Sequence, residues 1–215
     1  MRRNQKHVPT IVAISDTHNH HDKLLLPKGD ILIHAGDYSN IGTKDDTIRF
    51  LDWFSAQAHS VKIFIAGNHD FFPERKPEEF KAMIPGNVHY LCNELITAKG
   101  LRIWGSPYTP YYGGMAFNKK RGKGSKAICD LIPDQIDILI THGPPQGVLD
   151  HTYRYTHVGC EELKIKVDQV KPRYHIFGHI HEQPGIEKVG DTTYMNATQV
   201  NLFYQLTRKP LVFQF

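Results

Sequence analysis

An apolar run that stops abruptly in metal-binding chemistry is the strongest constraint on this chain. Residues 61–66 (Val-Lys-Ile-Phe-Ile-Ala) read as a buried strand, and Gly67-Asn68-His69-Asp70 follows at once. A plain turn uses Gly and Asn but has no need of an imidazole and a carboxylate beside them. The pattern occurs four more times. Residues 10–15 lead into Asp16-Thr17-His18, and residues 30–35 into Gly36-Asp37. Residues 136–141 lead into His142-Gly143-Pro144-Pro145, and residues 173–177 into Gly178-His179-Ile180-His181. Ligands of open α/β sheets sit beyond the carboxyl ends of the strands, so the five polar ends are expected to meet at one edge.

Helical signals separate these runs. In residues 44–58, Ile48, Leu51, Phe54 and Ala58 share a face, and Thr43 with Asp46 has the pattern of a capping box. Residues 77–83 open on a proline suited to a first helical turn. Residues 94–98 and 101–104 read as a hairpin about Lys99-Gly100. Residues 105–125 lack periodicity and read as a long loop, 125–131 as weakly helical, and 143–158 as a second loop. Cys160, Leu163, Val167 and Val170 mark an amphipathic helix stopped by Pro172. Beyond residue 185 come short β runs at 186–189, 192–195, 202–206 and 211–215. This alternation argues for a mixed sheet packed in layers with outer helices. No linker divides residues 1–215, which read as a single domain.

Composition narrows the class further. The 215 residues are 40% hydrophobic and 22% charged, an ordinary globular balance. A net charge of +4 is too weak for a dedicated duplex nucleic-acid surface. Cys92, Cys129 and Cys160 are widely spaced with no CxxC pair, which argues against a disulfide framework or a structural zinc site. The basic start Met1-Arg2-Arg3-Asn4-Gln5-Lys6 precedes an apolar run that ends at Ile14, too short for a secretory leader. No run is long enough to cross a membrane, and the expectation is a soluble, cytoplasmic protein.

The strand ends together offer Asp16, His18, Asp37, Asn68, His142, His179 and His181. This set of oxygens and imidazoles without thiolate suits Mn, Fe, Zn or Ni, with Mn the expected ion in vitro. Residues two apart on extended backbone point the same way, which would pair Asp16 with His18 and His179 with His181. Seven donors are too many for one ion and about right for two ions sharing a carboxylate. Two ions roughly 3.5–4 Å apart stabilise both oxygens of an in-line displacement at phosphorus. Phosphoester hydrolysis is the reaction class that follows.

The ordered motifs D-x-H, G-D, G-N-H-[DE], a lone H and G-H-x-H resemble those of the calcineurin-like metallophosphoesterase superfamily. That resemblance implies a four-layer α-β-β-α sandwich with two mixed sheets. It implies a first ion on Asp16, His18, Asp37 and His181, and a second on Asp37, Asn68, His142 and His179. A water or hydroxide between the ions would be the nucleophile. His69 would stabilise the transition state or protonate the leaving oxygen, and Asp70 would orient His69 or cap the turn. A finer similarity, carried by Trp104-Gly105-Ser106-Pro107-Tyr108-Thr109-Pro110, Ala116-Phe117-Asn118 and Arg121-Gly122, is to the small metallophosphoesterase-domain subfamily with its class III cyclic nucleotide phosphodiesterase-like members. It implies a phosphodiesterase acting on a small or cyclic nucleotide. A nuclease, a phosphomonoesterase or a protein phosphatase are the alternatives, and the complete donor set argues against a non-catalytic binding protein.

Aromatic rings stack on bases and cations hold phosphates. On that ground Tyr108, Phe117, Asn118 and Arg121 are candidate substrate contacts, in a loop that also carries Tyr111 and Tyr112, and His20, just after the first donor pair, is a further candidate for the substrate phosphate. His34, inside an apolar strand, reads as a hydrogen-bonded core histidine.

Overall fold

The computed structural model describes residues 8–215, so the basic stretch Met1 to Lys6 lies outside the described residues. The strands are Thr10–Ile14 (β1), Ile31–Ala35 (β2), Val61–Ile65 (β3), His89–Tyr90 (β4), Glu94–Ala98 (β5), Leu101–Ser106 (β6), Thr109–Pro110 (β7), Asn118–Lys119 (β8), Ile138–Thr141 (β9), Tyr174–Phe177 (β10), Gly185–Val189 (β11), Thr192–Asn196 (β12) and Leu211–Gln214 (β13). The helices are Lys44–Ser55 (α1), Phe71–Arg75 (α2), Pro77–Met83 (α3), Lys123–Cys129 (α4) and Glu161–Val170 (α5).

Two large mixed sheets form. One has the order β13-β1-β2-β3-β4, the other β11-β12-β10-β9-β6-β5. The central pairs are parallel, with Ile11 opposite Ile31 and Ile33 opposite Ile63 in the first sheet, and Ile140 opposite Ile176 in the second. Both faces of the central strands are buried, which is why they read as continuous apolar runs. Along β1, Ile11 and Ala13 point between the sheets, where they join Ile33, Ile63, Ile103, Ile138 and Ile176. Val12 and Ile14 point outward with Leu32 and Phe64 onto Phe50, Leu51 and Phe54 of α1 and Phe80 of α3. On the far side Trp104, Leu139, Phe177 and Tyr194 pack on Cys129 of α4 and Leu163 and Val167 of α5. The result is four layers, helix–sheet–sheet–helix, and each buried aliphatic or aromatic side chain stabilises them by roughly 1.5–3 kcal/mol.

Local signals mostly explain the elements. The Thr43 hydroxyl accepts the Asp46 N–H at 3.0 Å, and the Asp46 carboxylate accepts the Thr43 N–H at 3.3 Å, which closes the capping box of α1. The buried stripe of α1 is Thr47, Phe50, Leu51 and Phe54, whereas Ile48 is exposed; the helix ends at Ser55, short of Ala58. The β5–β6 hairpin turns on Lys99 (φ 52°) and Gly100 (φ 79°), the paired left-handed conformation that matches strand twist. Residues 105–125 are less irregular than expected, since β7 and β8 pair in parallel and α4 begins at Lys123. Residues 202–206 are a turn and not a strand. The Asn201 side-chain oxygen accepts the N–H groups of Phe203 (2.9 Å) and Gln205 (3.1 Å), drawing that backbone away from a ladder. Among the described residues no helix is long and apolar enough to cross a membrane.

Candidate metal centre

The donors lie in the turns just past the strands. Asp16 (φ 52°), His18 (φ 41°), Asp37 (φ 56°) and His179 (φ 70°) all adopt left-handed backbone. Asp16 and His18 therefore converge through a tight turn beyond β1, not through the pleat of a strand, and the turn beyond β10 sends His179 and His181 to different donor groups. Such conformations cost on the order of 1–3 kcal/mol each and persist only where the surroundings fix them. Here backbone bonds between turns do so. Asp16 N–H donates to the Gly36 carbonyl (2.9 Å), His18 N–H to Asp37 (3.1 Å) and Gly178 N–H to His142 (2.9 Å). The His179 N–H donates to the Asp16 carboxylate at 3.0 Å, joining the two sheets.

Asp70 is the anchor of this framework. Its Oδ2 accepts the N–H groups of Asp37 (2.9 Å) and Gly67 (2.8 Å), and its Oδ1 accepts Ser39 N–H (3.0 Å) and the Ser39 hydroxyl (2.7 Å). Burial, and then the Asp37 carboxylate, push its pKa up to about 8, while the donors favour the ionised form. The His69 imidazole is oriented by something else, since its Nδ1–H donates to the Asn40 carbonyl at 2.7 Å. Of the two roles expected for Asp70, tying the turn is the one its contacts serve.

Two groups of donors face each other. Asp16, His18 and His181 form one and Asp37, His142 and His179 the other, with the donor atoms of each group within 4.8 Å of one another. Asp37 Oδ2 lies 3.1 Å from His142 Nε2 and 3.9 Å from His18 Nε2, between the groups. Asn68 Oδ1 lies 2.9 Å from His142 Nε2, and Asp16 Oδ1 lies 3.4 Å from His181 Nε2.

The residues fit divalent cations. His142 Nδ1–H donates to the Ala35 carbonyl (2.9 Å), so in the neutral ring Nε2 turns a lone pair toward the oxygens of Asp37 and Asn68. His18 Nδ1–H donates to the Ser39 carbonyl (3.1 Å), and its buried Nε2 has no hydrogen-bond partner. Electron-rich atoms converging this way call for a positive charge among them. The titration behaviour agrees. Burial would raise the Asp16 and Asp37 carboxyls, yet the neighbouring His181 and His142 hold both well below the usual range. Burial pushes His18 and His179 down to about 4, which keeps both rings neutral and able to bind metal. Against its own burial, the Asp37 carboxylate draws His142 up to about 9. Glycine leaves room for the cradle, since a Cβ on Gly67 would sit 2.2 Å from Asp37 Oδ1 and one on Gly178 only 2.0 Å from Asp16 Oδ2.

Each sheet also places one buried histidine behind the donors. His34 on β2 accepts the Gly36 N–H at Nδ1 (3.2 Å) and reaches the Thr17 hydroxyl with Nε2 (2.9 Å). His175 on β10 reaches the Thr141 hydroxyl at 2.8 Å, and that hydroxyl donates to the Gly143 carbonyl at 2.7 Å. His34 is thus the hydrogen-bonded core residue expected, and it steers the turns bearing Asp16, His18 and Asp37.

A cleft of about 380 Å³ opens over Asp37, Asn68, His69, His179 and His181. Tyr111, Tyr112, Tyr153, Tyr204 and Arg121 also line it. Of the candidate substrate contacts, the structure brings only Arg121 there. Its guanidinium is committed to the carbonyls of Gly159 (2.8 Å) and Val158 (2.6 Å) and to Glu161. Phe117 is buried against Ala66 and Ala116 because its left-handed backbone (φ 51°) turns it inward. Tyr108 packs on Phe117 with ring centroids 5.6 Å apart. The Asn118 side chain is spent on Thr109, Ala116 and the Tyr112 N–H. His20 is away from the cleft, with Lys23 Nζ 3.2 Å from its Nδ1. Sequence reasoning missed two of the cleft's tyrosines, Tyr153 and, nearest the donors, Tyr204. The Tyr204 ring stands edge-on to His18 (4.6 Å between centroids) and His181 (5.5 Å). Its φ of 59° belongs to the turn that replaced the expected strand, and no pattern in the sequence points to it.

Two facing mixed sheets with outer helices, and paired Asp/His groups sharing one central carboxylate, define a metal-dependent phosphoester hydrolase. The chain belongs to the calcineurin-like phosphoesterase family, whose model matches residues 9–183. It is 39% identical over 225 residues to human metallophosphoesterase domain-containing protein 1, across 94% of this chain and 69% of that protein, and the mouse protein of that name gives the same figures. Among solved structures, phosphopantetheinyl hydrolase from Mycobacterium tuberculosis is similar in fold, with TM-score 0.69 over 98% of this chain and 96% of that one at 14% identity. A protein from Thermus thermophilus, TM-score 0.58 and 13% identical over 88% of this chain and 89% of its own, is likewise similar in fold.

Proposed function

We propose that this protein is a phosphodiesterase for small or cyclic nucleotides. One observation carries the reading: the cleft over Asn68, His69 and His179 has four tyrosines, Tyr111, Tyr112, Tyr153 and Tyr204, among its lining residues, in a volume of about 380 Å³. That volume falls in the range of small-molecule sites, roughly 300–1,000 Å³. Tyrosine rings offer flat faces to a nucleobase, at roughly 1–3 kcal/mol per stacked base.

Asp16, His18 and His181 would hold one divalent cation and Asn68, His142 and His179 a second, with Asp37 common to both. When bound, the cations supply positive charge to the phosphoryl oxygens and lower the pKa of an attacking water. The chain's residues do the rest. His34 and His175 fix the turns that carry the donors. With the His69 Nδ1–H committed to Asn40, the ring at the cleft wall would act in its imidazolium form, giving the Nε2 proton to the departing oxygen and keeping the one on Nδ1. Arg121 shapes the wall by pinning residues 158–161.

The test is a hydrolysis panel of 2′,3′- and 3′,5′-cyclic nucleotides, linear dinucleotides, single-stranded DNA and phosphomonoesters, with metal analysis of the same sample. The reading expects the highest kcat/KM on a cyclic nucleotide or dinucleotide. A preference for monoesters, or for long single strands over dinucleotides, overturns it.

A further inference from the structure

Outside the two donor groups, Asp150, His151 and His157 form a third cluster of potential ligands within 4.8 Å of one another. The backbone dictates how they meet. Residues 152–156 close a tight turn in which Thr152 N–H donates to the Thr156 carbonyl (3.2 Å) and Tyr155 N–H to the Thr152 carbonyl (2.8 Å). His151 and His157 face each other across its base as an antiparallel bridge. Side chains at such positions leave the backbone about 4.5–5.5 Å apart on the same face, so two imidazoles can converge on one atom. They do converge: the ring centroids lie 3.8 Å apart and the Nε2 atoms 2.8 Å apart.

The proton bookkeeping makes this pair unlike a surface contact. Asp150 is buried, and its Oδ2 accepts the N–H groups of Gly147 and Gly159, each at 3.0 Å. Its Oδ1 lies 2.7 Å from His157 Nδ1, so that nitrogen carries the proton and the lone pair of the neutral ring sits on Nε2. A carboxylate behind the far nitrogen is the usual partner of a metal-binding histidine, because it fixes the tautomer and raises the basicity of the ligating nitrogen. The 2.8 Å between these Nε2 atoms is close to the donor spacings in the metal centre, 2.9 Å from His142 Nε2 to Asn68 Oδ1 and 3.1 Å to Asp37 Oδ2. Solvent reaches the pair, since His157 is exposed and His151 half-buried, leaving room for water to complete a coordination sphere.

We propose that His151 and His157 form a third cation site, oriented by Asp150, for a divalent transition ion that prefers imidazole. Zinc, nickel or copper suit it better than manganese or magnesium, because the set offers two ring nitrogens and no free carboxylate. The ion is not catalytic. It clasps the base of the hairpin whose Thr152 and Tyr153 line the cleft, and so fixes one wall of the substrate site. His151 is also tied to the segment after the last donor motif, because its N–H donates to Gln183 Oε1 at 2.9 Å.

The experiment starts from protein carrying two equivalents of zinc and adds further zinc against a competing chromophoric chelator. The wild type is expected to take up one equivalent more than the His151→Gln/His157→Gln double variant, whose two resident equivalents are unchanged. The second readout is trypsin cleavage after Arg154, at the tip of the hairpin. The extra zinc is expected to slow that cut several-fold in the wild type and leave the variant's rate unaltered. Equal zinc uptake by the two proteins, or equal protection of both, overturns the proposal and leaves the two rings as an ordinary hydrogen-bonded pair. Neither readout depends on what the enzyme hydrolyses.

Discussion

Asp70 Oδ2 accepts the backbone N–H of Asp37 at 2.9 Å, so one buried carboxylate positions another. The two residues are 33 positions apart and end neighbouring strands, and the same oxygen also holds Gly67. The left-handed turn that puts Asp37 between both donor groups is pinned this way, together with the His69 N–H on Asp37 Oδ1 (2.8 Å) and the His18 N–H on the Asp37 carbonyl (3.1 Å). Burial is the first cause of the raised Asp70 pKa and the Asp37 charge the second, and a cation on Asp37 would relieve the second.

Replacing Asp70 tests that dependence. Asp70→Asn would turn an NH₂ group onto amides that require acceptors on both oxygens. A lost buried acceptor costs about 1–3 kcal/mol. The expected outcome is a lower unfolding free energy together with metal content below that of the wild type, read by urea denaturation and elemental analysis. Unchanged metal content would show that the Asp37 turn holds without its anchor.

His69 separates chemistry from metal binding. His69→Ala is expected to retain the wild-type metal content while kcat falls by about 10²–10⁴. Steady-state kinetics beside metal analysis reads both quantities at once. Loss of bound metal in this variant would make His69 a ligand and refute its assignment to the leaving group.

Gly178 tests the tightness of the cradle. A Cβ there would meet Asp16 Oδ2 at 2.0 Å and Ser15 Oγ at 2.1 Å. Gly178→Ala is therefore expected to weaken the ion on Asp16 by an order of magnitude or more while the sheets still form. Metal titration followed by far-UV circular dichroism distinguishes this from general unfolding.

Acid should destabilise the fold through its buried neutral histidines. Burial pushes His175 down from 6.5 to about 3. Between those values the unfolded chain binds a proton that the folded chain refuses. Stability therefore falls as pH drops through that window, by about 1.4 kcal/mol per pH unit for this one group. His175→Gln keeps a donor for Thr141 and cannot titrate, so its stability should fall less steeply. Urea unfolding of metal-stripped wild type and variant at several pH values between about 4.5 and 6.5 measures the difference. Equal slopes would mean that His175 titrates normally in the fold.

Some of this centre was legible in the sequence because its chemistry has no other use there. Imidazoles and carboxylates at the ends of Ile- and Val-rich runs are costly in a plain turn, and the strand–helix alternation says that such ends share an edge. What stayed hidden depends on contacts across long stretches of chain. The left-handed backbone of Asp16, His18 and His179 is imposed by neighbouring turns, so alternation along a strand gave a plausible but wrong reason for their convergence. Phe117 and Tyr108 looked like substrate contacts because loop aromatics do not reveal whether a pocket or a ligand awaits them. Tyr204 sat in Leu202-Phe203-Tyr204, apolar enough to read as strand until the Asn201 side chain claims the amides of Phe203 and Gln205 on either side of it. For Asp70 the choice between orienting His69 and capping the turn stayed open, since adjacency is visible in a sequence and a partner on another strand is not.

The division of the donors between the sheets has a consequence of its own. Asp16, His18, Asp37 and Asn68 follow strands of one sheet, whereas His142, His179 and His181 follow strands of the other. Neither half can assemble a complete site alone. The first sheet is itself closed by β13 from the end of the chain, so the two sheets are interleaved in sequence as well as facing each other in space. An ion held on donors from both would tie the seam between them, beside the His179 N–H to Asp16 carboxylate bond that already crosses it.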